Sequence, residues 1–222
     1  MSTRKVIVAD DHPLFREALS LALEKALGQV RIFQAGNMDE LQRVSGEENT
    51  ADLVLLDLHM PGVQGFSALI YLRAHHPELP VCVISANNNA KVILRAMDHG
   101  AAAFIHKSAS VEQIREVLNT VLAGDIWQPP ETASTDTHHD ELEIAERVGE
   151  LTPQQFRVLM MLAEGLLNKQ IAFELGISEA TVKAHMTAIF RKLEVSNRTQ
   201  AVLLVNLLAV ESPEHAASGF QG

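Results

Sequence analysis

Cysteine is almost missing from this chain, with one residue, Cys82, among 222. It cannot close an intramolecular disulfide, and zinc clusters built on paired thiolates are excluded with it, which fits a reducing compartment. Long hydrophobic runs are missing too. The first apolar stretch, residues 6–9, gives way to two aspartates, unlike a signal peptide. The longest apolar run, 201–210, is broken by Asn206 and falls short of the roughly 20 residues that a spanning helix needs. A cytoplasmic chain with no membrane partner is expected. The sequence has no internal repeats and no low-complexity tract.

Enough apolar residues are present, 47% against 21% charged, to build packed cores, and the length suits two domains of ordinary size. A net charge of -10 argues at first against a nucleic-acid partner, but its distribution removes the objection. Residues 127–150 carry one Lys or Arg against seven Asp or Glu, whereas residues 151–222 carry six of each.

Short β-branched runs at 5–9, 30–35, 53–56, 81–84 and 103–105 alternate with helical patterns, such as Leu14, Ala18, Leu21 and Ala22 after Pro13. A second such pattern, Val111, Ile114, Val117, Leu118 and Val121, follows the candidate cap Ser110. Five strand-helix units in this length predict an α/β fold, a doubly wound, five-stranded parallel sheet over residues 1–126. An acidic linker follows at 127–148, with a short helix expected at 140–148. Residues 149–210 read as a small all-α domain, and 211–222 as a disordered tail.

Asp10 and Asp11 end the first strand, Asp57 the third and Ser85 the fourth, and Lys107 follows the fifth. In a parallel sheet these positions open onto the carboxyl edge, where such sheets bind ligands. Three gathered carboxylates repel one another, and a hard divalent cation, Mg2+ above all, relieves the repulsion. The set can run phosphoryl transfer: a carboxylate attacks in line while the metal, the lysine and a hydroxyl stabilise the phosphoryl oxygens. Asp57 is the candidate nucleophile.

The segments VIVADDHP at 6–13, LLDLHMPG at 55–62, Ser85-Ala86 and GAAAFIHK at 100–107 resemble a bacterial response-regulator receiver domain, CheY-like in fold. The resemblance implies a sensor histidine kinase as partner, with Asp57 the phosphoacceptor. It also implies Mg2+ held by Asp10, Asp11, Asp57 and the backbone carbonyl of His59, and a switch made by Ser85 and Phe104. Phe104 stands where many relatives carry Tyr, so no phenolic hydroxyl takes part. His59 and Asn87 resemble positions that tune the acyl-phosphate lifetime. His12 and His106 are expected to serve structural or solvent roles rather than as ligands, the pair at 138–139 to be solvated, and Cys82 to be a small core residue.

In the helical module, Thr152-Pro153-Gln154-Gln155 predicts a capping box with Pro in the first turn, Ser178 the cap of a longer helix and Asn197 the cap of the last. Residues 168–193 have helix-turn-helix spacing, with Ala172 at the helix crossing and Gly176 in the turn. Val182, Met186, Ile189 and Leu193 are expected to face the core, leaving Lys183, Ala184, Thr187 and Arg191 for a major groove. Lys192 and Arg198 would add phosphate contacts. The last helix is apolar around most of its circumference, which makes Val202 and Val205 candidate dimer contacts.

LTPQQFRVL at 151–159, AEG at 163–165, NKQIA at 168–172, LGIS at 175–178, TVKAHM at 181–186, Lys192-Leu193 and NRTQA at 197–201 resemble a LuxR-type DNA-binding domain. Leu167 replaces the small hydroxylic residue usual there, so the cap of that helix is expected to fall to Asn168. Joined, the two modules are similar to a NarL/FixJ-family response regulator, a regulator and not an enzyme. The resemblance implies a homodimer on double-stranded DNA after phosphorylation, with RNA polymerase a candidate partner. Two readings compete with it. A haloacid-dehalogenase-like phosphatase shares the aspartyl phosphate, but its aspartate pair is spaced, whereas Asp10 and Asp11 are adjacent. The other is a DNA-binding regulator whose receiver works without phosphate.

Overall fold

The structure is a computed structural model and describes residues 3–48, 50–129 and 139–210. The first domain runs β1 (Arg4–Ala9), α1 (Pro13–Leu27), β2 (Val30–Ala35), α2 (Met38–Glu47), β3 (Leu53–Leu56), α3 (Ser67–His75), β4 (Val81–Ser85), α4 (Ala90–Asp98), β5 (Ala103–His106) and α5 (Val111–Leu122). All strands are parallel, in the order β2-β1-β3-β4-β5, as a doubly wound sheet requires. Strand residues alternate between two buried faces. Val6, Val8, Leu53, Leu55, Cys82 and Ile84 pack with Leu19 and Leu23 of α1 and with α5. Ile7, Ala9, Val54, Leu56, Val81 and Val83 pack with α2, α3 and α4.

The helical domain runs α6 (His139–Gly149), α7 (Pro153–Ala163), α8 (Asn168–Leu175), α9 (Glu179–Lys192) and α10 (Arg198–Asn206). The expected capping box of Thr152 with Gln155 forms, and Ser110 caps α5 as expected, in a box completed by Gln113. Gly176 ends α8 in the left-handed conformation, φ 64°, which turns the chain into α9.

The helix expected from Leu14, Ala18, Leu21 and Ala22 forms, but Leu14 and Leu21 themselves face outward, 82% and 60% exposed. The stripe through 14, 18 and 21 is one of two possible on α1, and the sheet selects the neighbouring one through Leu19 and Leu23. Asn168 does not cap α8. Leu167 holds that position with no side-chain acceptor, and Gln170 reaches back to its amide. The expected tail at 211–222 lies outside the described residues.

The two domains share a core. The buried cluster on the α2-α3-α4 side of the sheet continues into Phe156, Leu159, Val205 and Leu208 of the helical domain. Tyr71 of α3 lies 5.2 Å from Phe156, ring to ring. At the edge Arg157 pairs with Asp39 at 2.6 Å.

Candidate functional site

The acidic site sits where the strands end, and the sheet itself fixes it. The amide of Asp10 donates to Ala35, that of Asp57 to Ala9 and that of Lys107 to Ser85, so each functional residue is pinned by one more rung of the parallel ladder. Asp10 and Asp57 are buried and Asp11 is half-buried. The Lys107 ammonium bridges the two buried carboxylates, 2.6 Å from Asp10 Oδ2 and 2.8 Å from Asp57 Oδ2. Its Nζ also lies 4.7 Å from the centre of the Phe15 ring.

Burial pushes the Asp57 carboxyl up, and the Asp10 charge adds to this; the hydrogen bond and charge of Lys107, with a smaller contribution from His59, oppose it, and the result is raised. For Lys107, burial alone would lower the value, but the two carboxylates carry it above the ordinary lysine range. The ammonium is therefore retained at neutral pH.

Asp10, Asp11, His12 and Asp57 each bring one candidate ligand atom to a cluster within 4.8 Å. Asp11 Oδ1 is buried without a hydrogen-bond partner; His12 Nδ1 is 2.6 Å away but outside hydrogen-bond geometry. An orphaned carboxylate oxygen beside two other carboxylates is a donor set that suits a hard divalent cation. The His59 ring stands 4.0 Å from Asp57 Oδ1, with Nε2 buried and unpartnered.

Ser85 is buried at the end of β4, and its hydroxyl accepts from the Asn87 amide at 3.1 Å. Phe104, on the neighbouring strand, points inward at 2% exposure and lines a cavity of about 400 Å3 with Ile93, Val117 and Trp127. The linker begins against this edge, since Trp127 bridges to Ala103 and donates its amide to Ala102. Sequence reading missed this contact, because a single bridge leaves no periodicity to detect. The His106 ring is occupied by Ser108 and the Ala86 carbonyl.

On α9, Val182, Ile189 and Leu193 are buried, while Lys183, Ala184, Thr187 and Arg191 form an exposed face. Lys192 and Arg198 are already engaged within the domain. Lys192 Nζ donates to the Glu150 carbonyl at 2.7 Å, and Arg198 holds the Leu162 and Leu166 carbonyls, so both brace the helices. The expectation for Val205 requires correction, because it is fully buried and packs in the core of its own domain. Val202 is half-buried, and the exposed apolar side chains beside it are Leu203 and Leu207.

A family model described as response regulator receiver domain matches residues 6–119, and one described as bacterial regulatory proteins, luxR family, matches residues 149–205. The glycerol metabolism activator of Pseudomonas putida is 38% identical over 206 residues, covering 90% of this chain and 93% of its own length. The nitrate/nitrite response regulator protein NarL of Escherichia coli K12 is 29% identical, covering 90% and 94%. Among solved structures, the signal receiver domain of the putative response regulator NarL from Mycobacterium tuberculosis matches at a TM-score of 0.51 and 29% identity, over 56% of this chain and 99% of that one. RcsB from Salmonella enterica serovar Typhimurium, bound to a promoter in the presence of phosphomimetic BeF3-, shares the fold at a TM-score of 0.54 and 23% identity, over 92% and 98%.

Proposed function

Because the chain belongs to the NarL/FixJ family of two-component response regulators, with a receiver and a LuxR-type DNA-binding domain, we propose that a partner histidine kinase phosphorylates Asp57. Phosphorylation then shifts the protein toward a homodimer that binds paired half-sites on double-stranded DNA and regulates transcription, with RNA polymerase its downstream partner. The observation that carries this reading is the Lys107 ammonium held between the Asp10 and Asp57 carboxylates at the mouth of the sheet.

An Asp57 oxygen attacks the phosphorus of the kinase phosphohistidine. The P–N bond breaks, its electron pair stays on the imidazole, which takes a proton from solvent, and an acyl phosphate forms on Asp57. Lys107 balances the charge on the transferred group, and the Ser85 hydroxyl donates to one phosphoryl oxygen. Mg2+ fits the donor set of Asp10, Asp11, Asp57 and the His59 carbonyl, and when bound it supplies positive charge against the phosphoryl oxygens. Packing of the Phe104 ring reports the change.

Residues 1–126 act as the receiver, 127–148 as the linker and 149–210 as the DNA-binding domain. Lys183, Ala184, Thr187 and Arg191 enter the major groove. Lys192, whose ammonium has three donors, and Arg198 add phosphate contacts through the N–H groups they keep. Copies pair through the outer face of α10, Val202 with Leu203 and Leu207. The setting is the cytoplasm, and no helix among the described residues is long and apolar enough to cross a membrane.

Incubation with acetyl phosphate and Mg2+, followed by intact-mass spectrometry, tests the assignment. Wild type gains one phosphoryl group and Asp57→Asn gains none. Equal uptake by the variant would contradict Asp57 as the acceptor.

A further inference from the structure

The stripe of α1 that packs on the sheet runs through Phe15, Leu19 and Leu23, each four residues from the last and so on one face of the helix. Leu19 and Leu23 are buried, whereas Phe15, in the first turn, is half-buried at the end of that core nearest the acidic site. Pro13 opens this turn two residues after Asp11, so little chain separates the ring from the carboxylates. The packing that buries Leu19 and Leu23 therefore carries an aromatic ring to the carboxyl edge of the sheet. There the Lys107 Nζ lies over the ring, 4.7 Å from its centre.

The first turn is held by more than this stripe. The Arg16 guanidinium donates to the Asp10 carbonyl, and its Nε donates to Gln34 Oε1 at 3.2 Å. These bonds tie the start of α1 to the ends of β1 and β2, and they fix the ring beside the lysine.

The Lys107 ammonium gives N–H donors to Asp10 at 2.6 Å and to Asp57 at 2.8 Å, and its side chain is 17% exposed. A further carboxylate in place of the ring would cancel its charge. A bound water there would take an N–H that an arriving phosphoryl oxygen needs. The face of a phenyl ring does neither: it attracts the ammonium through its quadrupole within about 6 Å, without a lone pair aimed at one N–H. The lysine keeps its full charge and can turn a donor from the Asp57 carboxylate to the incoming group while staying on the ring. Without the ring, that side of the ammonium is left to water, and the long side chain regains rotamers that point away from the site.

We propose that Phe15 is a positioning residue for phosphoryl transfer, its ring face holding the Lys107 ammonium between Asp10 and Asp57 and excluding water from that side. The inference rests on the phosphorylation reading above and names the residue that prepares its lysine.

The test separates the electrons of the ring from its bulk. The full chain is prepared as wild type, Asp57→Asn, Phe15→Leu and Phe15→Tyr, and as a series with mono-, di- and trifluorinated phenylalanine at position 15. Fluorine draws electron density from the ring face with little change of size. Intact-mass spectrometry reads the rate of phosphoryl uptake from acetyl phosphate with Mg2+, beryllofluoride titration reads affinity at equilibrium, and circular-dichroism melting reads folding. Phe15→Leu, which keeps an apolar side chain, is expected to slow uptake and to weaken beryllofluoride binding by about three- to tenfold. Phe15→Tyr, which keeps the ring face, should stay within about twofold of wild type. In the fluorinated series the logarithm of the rate should fall stepwise with each added fluorine, and this series alone decides the matter where Phe15→Leu melts early.

A Phe15→Leu chain that matches wild type would overturn the positioning role and leave the phosphorylation reading standing. A flat fluorinated series would do the same even with Phe15→Leu slow, since Phe15 would then act through bulk alone. Uptake by wild type that Asp57→Asn matches would overturn the phosphorylation reading and this inference with it.

Discussion

Gly65 shows how much one residue can carry. Its φ is +54°, and a Cβ there would stand 2.7 Å from both Ala209 Cα and Val210 N of the other domain. Gly65→Ala therefore meets two obstacles: a left-handed backbone, costing about 1–2 kcal/mol for a residue with a Cβ, and backbone on the other side that cannot yield as a flexible side chain would. The expected outcome is a folded receiver whose helical domain has come away, read as a larger radius of gyration with Asp57 still accepting phosphate. Cys82 is the opposite case, a residue with nothing to do but pack. It is fully buried, and burial pushes its thiol up to about 12. The thiolate is the reactive form. Alkylating reagents at neutral pH should leave native Cys82 unmodified and label it only after unfolding, which a mass measurement checks directly.

The helix α8 begins without the device that opens its neighbours. Thr152, Ser178 and Asn197 cap α7, α9 and α10 with side-chain oxygens, whereas Leu167, 66% exposed, offers α8 none. Leu167→Ser should add roughly 1 kcal/mol to the stability of the helical domain, measured by denaturant unfolding, because the hydroxyl satisfies an orphan amide. No change would mean that the Gln170 side chain already does all that a cap can do there. Elements were legible where local chemistry decides them. β-branched runs marked the five strands, Thr152 with Gln155 and the caps Ser110, Ser178 and Asn197 marked helix starts, and Asp10, Asp57, Ser85 and Lys107 followed from their places at strand ends. What stayed hidden depends on contacts distant in sequence. The periodicity of α1 fits two faces and only the sheet chooses Leu19 over Leu14. Val205 and Leu203 are equally apolar, and only packing makes one core and the other surface. Glu141 reads as one more linker acid until Arg95 of α4 and His99, the residue that caps its C-terminus, are seen beside it.

At the scale of the molecule, a shared hydrophobic core and a charge cluster of Arg95, His99 and Glu141 join the receiver domain to the LuxR-type DNA-binding domain, on which Lys183, Ala184, Thr187 and Arg191 of α9 are exposed. The central claim is that phosphorylation of Asp57 governs binding to paired DNA sites, and selection of genomic DNA fragments by the purified protein tests it most directly. The selection is run on wild type and Asp57→Asn, each with and without beryllofluoride and Mg2+. The account predicts strong enrichment of a small set of inverted sites by wild type with the mimic, and weak enrichment in the other three samples. Equal enrichment of the same sites in all four would contradict it, leaving a DNA-binding regulator that phosphorylation does not gate.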